Sequence, residues 1–286
     1  YNSTTGTTNN LPPCWHQFNT GSSSDSYVGY PIVYNSSSDA NTGSNSIRFY
    51  SYVSGNTYYG DQWAILPGLD VNTYPLNTLQ LKFNAKKYSD SYPFNRIVGV
   101  MSDVLDPSTF VPVDTISPAT NVYEPCVVYF NHYTGAGHYI AMMIEQPISS
   151  YNAGYVDDIE ISVAPSCLPV SDVRLVSANS TEITVEWDVN GAETDWIVSY
   201  VQFGDTVWTS QSVSGTPTAT VQNLTPNTPY YFRVQADCGN GDVSETSLPI
   251  LARTECALLA QLPYSENFDG VQGSTTGSVN NLPDCW

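Results

Sequence analysis

Short runs of alternating apolar and polar residues, each closed by Gly, Pro, Asn or Asp, make up most of the chain, and helical spacing of apolar residues is nearly absent. Ser46–Tyr52, Leu79–Phe83, Ile97–Met101, Cys126–Phe130 and Tyr139–Ile144 are predicted strands. Tyr155–Val163 is another, with Val156, Ile159, Ile161 and Val163 mostly on a two-residue period. Gly55-Asn-Thr, Asp106-Pro-Ser and Tyr133-Thr-Gly-Ala-Gly separate them with loop chemistry. Residues 1 to about 165 therefore predict one mostly antiparallel sandwich, whose strand order the spacing leaves open. Ala164-Pro-Ser-Cys-Leu-Pro169 is a proline-bracketed boundary. Beyond it, Val173–Val176, Ile183–Trp187, Trp196–Val201, Thr218–Val221, Tyr230–Ala236 and Pro249–Arg253 recur at the spacing of a second sandwich.

Residues 3–15, Ser-Thr-Thr-Gly-Thr-Thr-Asn-Asn-Leu-Pro-Pro-Cys-Trp, return as Ser274-Thr-Thr-Gly-Ser-Val-Asn-Asn-Leu-Pro-Asp-Cys-Trp286, identical at ten of thirteen positions. The offset is 274 − 3 = 271 residues. The chain is accordingly expected to be one period of a longer repeating polypeptide.

Composition narrows the class. Lys+Arg number 8 against 27 Asp+Glu, a net charge of −19. Such a surface repels phosphate backbones and anionic lipid, so nucleic acid is not an expected partner; locally it suits hard cations such as Ca²⁺. No apolar stretch nears the roughly 18–20 residues of a membrane-spanning helix, so membrane insertion is not expected either. Tyr reaches 21, with 19 Gly and 19 Pro, the usage of strands and turns. Six Cys without a Cys-x-x-Cys pair favour disulfides, and hence a secreted or cell-surface location.

Leu224-Thr-Pro-Asn-Thr-Pro-Tyr230, followed by Tyr231-Phe-Arg-Val-Gln-Ala236, resembles the E–F corner of fibronectin type III domains, and Trp187 fits the core Trp of that family. In the first segment an ordered set resembles the choice-of-anchor J modules of Bacteroidota surface proteins, relatives of cleaved-adhesin and MAM-like jelly rolls. The set comprises Leu11-Pro-x-Cys-Trp15, Ile47-Arg-Phe-Tyr-Ser51, Ala64-Ile-Leu-Pro67, Val98-Gly-Val-Met-Ser-Asp103, Pro107–Ile116, Tyr133–Ala141 and Val156-Asp-Asp-Ile159. Both resemblances imply an all-β chain: residues 1–166 a jelly roll, 167–256 a fibronectin type III domain, and 257–286 a linker and the opening strand of the next jelly roll. Modules of the first family begin with a strand similar to Leu262-Pro-Tyr-Ser-Glu-Asn-Phe-Asp-Gly270, which implies that residues 1–166 lack theirs. The tail is then expected to be poorly buried by its own chain and to complete a neighbouring repeat, with Tyr264 and Phe268 as core anchors.

The fibronectin resemblance also implies a Cys167–Cys238 disulfide, since the first strand starts and the sixth ends at one pole. The other resemblance implies Cys256–Cys285, leaving Cys126 a buried free thiol and Cys14 without an in-chain partner; Cys14–Cys126 is the competing pairing. It further implies a structural calcium in which Asp158 meets the counterparts of Glu266 and Asp269, those two serving the next repeat. The alternative for Asp157-Asp158 is a solvated acidic strand end. Tyr50, Tyr52 and Trp63 are candidates for a platform that stacks sugar rings, against plain alternation of core and surface positions. Thr115 and Thr206, in Asp114-Thr-Ile and Asp205-Thr-Val, resemble the O-glycosylation acceptor of Bacteroidota, while the Asn-x-Ser/Thr sites at Asn2, Asn35, Asn179 and Asn223 are expected to be bare.

Nothing points to catalysis. His132 and His138 are six apart around a Gly-rich turn, not i, i+4 on a helix, His16 stands elsewhere, and no nucleophile elbow exists. The expectation is a non-enzymatic repeat unit of a large secreted or surface adhesin or filament, spacer and binding surface at once. Its partners would be adjacent repeats, and glycans or host and cell-surface proteins. The alternative is a carbohydrate-binding accessory region of an exported glycanase or peptidase.

Overall fold

The computed structural model describes residues 10–20, 29–54, 57–58, 60–147, 150–269 and 285, without the side chains of residues 52–54, 57, 58 and 150. The chain divides into two units, 1–164 and 165–286.

In the first unit the strands are β1 (His16–Asn19), β2 (Ile32–Asn35), β3 (Asn45–Ser54), β4 (Thr57–Tyr58), β5 (Gln62–Ile65), β6 (Leu79–Lys87), β7 (Arg96–Met101), β8 (Val111–Ile116), β9 (Glu124–Tyr129), β10 (Tyr139–Ile144) and β11 (Ser150–Val163). One sheet runs β1-β5-β10-β7-β8; the other runs β2-β3-β11-β6-β9, with β4 paired to β3. All pairings are antiparallel. Alternation turns Ile47 and Phe49, Leu81 and Phe83, Val98 and Val100, and Ile140 and Met142 toward one shared core. Gly154 sits mid-strand because the Phe94 ring and the Lys86 carbonyl occupy the space a Cβ would need.

β11 has two unlike halves. Residues 150–156 pair with β3, and from Gly154 onward β11 also pairs with β6. After a bulge between Asp157 and Glu160, residues 160–163 pair with β6 alone among the described residues. At that bulge Asp158 adopts φ +53°, left-handed backbone that Asp tolerates better than most residues.

The second unit holds β12 (Ser171–Ala178), β13 (Ile183–Asp188), β14 (Asp195–Gln202), β15 (Thr209–Ser214), β16 (Thr218–Val221), β17 (Pro229–Ala236) and β18 (Ile250–Arg253). Its sheets are β12-β13-β16 and β15-β14-β17-β18. Trp187 and Trp196 meet edge to face at 5.5 Å in the core, beside Val198, Phe232 and Val234. The Tyr230 hydroxyl accepts a hydrogen bond from the Thr225 amide at 3.0 Å, closing the corner before β17. Cys167 and Cys238 are bonded, with Cα atoms 5.7 Å apart. Cys256 and Cys285 are also bonded, with Cα atoms 5.6 Å apart, while Cys14 and Cys126 are free thiols.

Strands that periodicity overlooked are polar, short or at an edge. β15 is Thr-Ser-Gln-Ser-Val-Ser, and β8 carries Pro112; both terminate a sheet, where one face and one edge stay in water. In the tail, residues 257–269 form no strand, and Leu258, Leu262, Tyr264 and Phe268 are exposed.

Candidate functional site

Asp157 and Asp158 grip the loop between β2 and β3. Asp157 Oδ2 accepts from the backbone amides of Asn41 (2.8 Å) and Thr42 (3.2 Å). Asp158 Oδ2 accepts from the side-chain amides of Asn41 (2.7 Å) and Asn84 (3.2 Å), and its Oδ1 from the Thr42 hydroxyl. In a regular strand two neighbours face opposite ways; the bulge lets both carboxylates engage one loop, and neither faces the core. The Asn41 bond, then that of Thr42, holds the Asp158 carboxyl below the usual carboxylate range. Rotating the Asn41 and Asn84 amides would present their oxygens instead, which with both carboxylates and Thr42 makes a hard-oxygen set of the kind Ca²⁺ takes. Glu266 and Asp269 are in the tail, where Glu266 Oε1 accepts from the Phe268 amide (2.7 Å) and Asp269 Oδ2 from the Asn267 side chain (2.8 Å).

The outer face of the six-stranded sheet is dense in tyrosine. Register sets Tyr155 opposite Arg48 on β3 and Lys86 on β6, and Ala153 opposite Tyr50, so these side chains share the face turned away from the core. The Arg48 guanidinium lies 4.2 Å from the Tyr34 ring centre, and Lys86 Nζ lies about equally far from Tyr123 (5.0 Å) and Tyr155 (5.1 Å). Tyr50 contacts Tyr151 at 5.4 Å and Tyr88 at 6.0 Å, and Tyr92 packs on Tyr151 at 4.6 Å. Lys86 also reaches Asp39 at 3.4 Å. Two of the eight basic residues of a −19 chain thus stand among tyrosines.

Tyr50 belongs to this face. Tyr52 is on β3, but its side chain lies outside the described residues. Trp63 is a correction: it is only 4% exposed and sits on the other sheet, packed on Phe18 (5.5 Å) and Phe110 (6.5 Å), so it cannot join a platform with Tyr50. β5 is flanked by β1 and β10, which lets Phe18 and Met143 close over the indole. Tyr34, Tyr88, Tyr151 and Tyr155 were missed, because only strand pairing brings them to Tyr50.

Thr115 and Thr206 are both exposed, the first on edge strand β8, the second in the turn before β15. His16 and His138 both pack on Tyr139, with ring centres 6.3 Å and 4.2 Å away, His132 lies 3.3 Å from Asn131, and among the described residues no histidine joins a cluster of three ligand atoms. Among the described residues, the one convergence of three His, Cys, Asp or Glu ligand atoms is Cys167, Glu193 and Cys238. Two of those sulfurs are already joined as a disulfide, so it offers no metal site. Among the described residues no helix is long and apolar enough to cross a membrane.

Residues 168–253 match the fibronectin type III domain family. Similar solved structures include the FN5 domain of Drosophila Lar (23% identity, 32% of this chain and 100% of that chain, TM-score 0.28). Others are an fn3 domain of human contactin 1 (23%, 35% and 92%, 0.30) and one of human collagen alpha-1(XX) chain (23%, 36% and 98%, 0.32). No curated protein matches the chain.

Proposed function

We propose that this chain is a repeat unit of a large secreted or cell-surface adhesin or filament, serving as spacer and binding surface, without enzymatic activity. The observation that carries it is the structural work done by the first copy of the repeated motif. Asn10 accepts from the Val33 amide at 2.9 Å and donates to its carbonyl at 2.8 Å. Leu11 is buried in the first unit's core and Trp15 packs against it. The motif is thus a working part of a sandwich about 160 residues long. Its second copy has the same use only where another such sandwich follows. Cys14 and Cys285 share left-handed backbone, φ 66° and 75°, so one unusual conformation recurs at the same step of the repeat. Counting β3 and β5–β11 as strands one to eight, the sheets run 1-8-3-6 and 2-7-4-5, an order that supports reading the first unit as a jelly roll. Thr115 and Thr206 are sterically open to O-glycosylation, and Asp158 is the calcium ligand this reading carries, completed by carboxylates of Glu266 and Asp269 type.

Sequencing the parent gene around this segment tests the proposal: further Leu-Pro-x-Cys-Trp motifs are expected at the 271-residue period. A single period beside a catalytic domain would sink it. The tyrosine face favours a second reading, a carbohydrate-binding accessory region, because aromatic rings beside Arg48 suit a sugar ring carrying an acid group. A glycan array with Tyr50→Ala as the control tests this second reading directly, and the parent gene separates it from the first. Purified chain should show no peptidase or glycosidase turnover and no retention on DNA; hydrolysis abolished by one Asp or Glu substitution would refute the non-enzymatic reading.

A further inference from the structure

We propose that the tyrosine face of the first unit is a site of oxidative modification, where a one-electron oxidant leads to a carbon–carbon bond between Tyr92 and Tyr151. The proposal rests on the geometry of the first unit and is independent of the repeat-unit reading.

Six of the chain's 21 tyrosines form one unbroken ladder. Ring centres step from Tyr34 to Tyr155 (6.0 Å), Tyr88 (6.1 Å), Tyr50 (6.0 Å), Tyr151 (5.4 Å) and Tyr92 (4.6 Å). Every step falls within the roughly 4.5–7 Å of aromatic rings in contact. Electronic overlap falls steeply with the gap between rings, so an electron vacancy made at one of these tyrosines is passed along the row. The row follows from register: Tyr151 and Tyr155 share a face of β11, and the small Ala153 between them pairs with Tyr50 on β3. Tyr88 lies against both Tyr155 and Tyr50, and at 46% exposure it is the tyrosine of the ladder most open to solvent. A soluble oxidant therefore meets the ladder at Tyr88.

Charge gives the ladder a direction. The Arg48 guanidinium lies 4.2 Å from the Tyr34 ring centre, and Lys86 Nζ lies 5.1 Å from that of Tyr155. A ring that loses an electron turns positive, which a neighbouring cation opposes. Burial also pushes the Tyr155 phenol above its usual range, so it holds the proton that an oxidised phenol must release. Tyr151 is four residues along β11 from Tyr155, about 13 Å in a strand. The vacancy thus settles at the far end, on the half-buried Tyr151 and Tyr92, the closest tyrosine pair among the described residues. The turn that carries Tyr92 is fastened to β11. The Tyr88 amide donates to the Ala153 carbonyl (3.0 Å), the Ala153 amide to the Pro93 carbonyl (3.1 Å), and the Asn95 amide to the Asn152 side chain (3.2 Å). Two rings held this way react as an intramolecular pair.

Two oxidising events complete the bond. Tyr92 and Tyr151 each give one electron to the oxidant and one phenolic proton to water. The two phenoxyl radicals join through the ring carbons ortho to oxygen; each of those carbons then releases its hydrogen as a proton, and each oxygen takes a proton back. The protein loses two hydrogens in all, and with a haem peroxidase as oxidant one hydrogen peroxide becomes two waters. The product staples the β6–β7 turn to β11, in a unit without a disulfide among its described residues.

The test treats dilute full-length chain with peroxidase and hydrogen peroxide, after alkylating Cys14, whose exposed thiol would quench radicals. A monomer lighter by two hydrogens is expected, with blue dityrosine fluorescence and one cross-linked peptide pair containing Tyr92 and Tyr151. Tyr92→Phe and Tyr151→Phe keep the ring and remove the phenol; each should lose this product while circular dichroism stays as in the parent. Tyr88→Phe should form it several-fold more slowly. Tyr74, 54% exposed and outside the ladder, reports oxidation governed by exposure. Products concentrated at Tyr74, bonds between chains in place of the internal one, equal yield in urea, or an unchanged rate in Tyr88→Phe would each overturn the proposal.

Discussion

Replacing Cys167 and Cys238 together by alanine removes the cross-link between the start of the second sandwich and the end of β17. The two cysteines are 71 residues apart, so the chain-entropy relation gives about 15 cal/mol/K, or about 4.4 kcal/mol at 25 °C, as the effect on the unfolded state. Bridges commonly deliver less, so the expected loss is about 2–4 kcal/mol. Trp187 and Trp196 both lie in that core and report its unfolding by fluorescence. With an m-value of about 1–1.5 kcal/mol/M for a domain of this size, the urea midpoint should fall by about 2 M. The first unit has no disulfide among its described residues, so its own transition serves as an internal control. A loss under about 0.5 kcal/mol would refute the argument, because the loop-closure term would then be absent. An equal shift in the first unit's transition would refute it as well, since the cross-link touches only the second.

Tyr230→Phe leaves the Thr225 amide without its acceptor and should cost about 1–2 kcal/mol in the same urea titration. Arg96 is fully buried between Phe83 and Phe94, none of its guanidinium nitrogens has a hydrogen-bond partner among the described residues, and burial lowers its pKa to about 10. Arg96→Met should therefore raise stability by about 1–3 kcal/mol, read by calorimetry. A cation whose folded pKa lies below its unfolded value is penalised at every pH under the folded pKa, and the penalty fades only as pH rises above it. The gain from Arg96→Met should thus be constant between pH 6 and 9, and a slope there would refute it. Burial pushes the Cys126 thiol up to about 11, whereas Cys14 is exposed. Iodoacetamide at pH 8 should label Cys14 in the native chain, and Cys126 only after denaturation.

Local sequence determined the strands that feed the cores. β10 was bounded from its apolar run alone, and Tyr230 and Trp187 were placed because a corner and a core position each demand one residue type. The repeat, and with it the proposed architecture of the parent, is also a property of the sequence. Polar edge strands such as β15 were illegible, since a strand solvated on one face and one edge has no apolar period to read. Tertiary structure alone decided which tyrosines share a face, because Tyr34, Tyr50, Tyr88 and Tyr155 come from four separate stretches of chain that only strand register aligns. It alone sent Trp63 under Phe18 and Phe110, and turned Asp157 and Asp158 onto one loop through a bulge that shifts the register. Periodicity is a one-dimensional signal of which face a residue occupies; what that face meets depends on strands far away in the chain, and that is settled only when the sheets assemble.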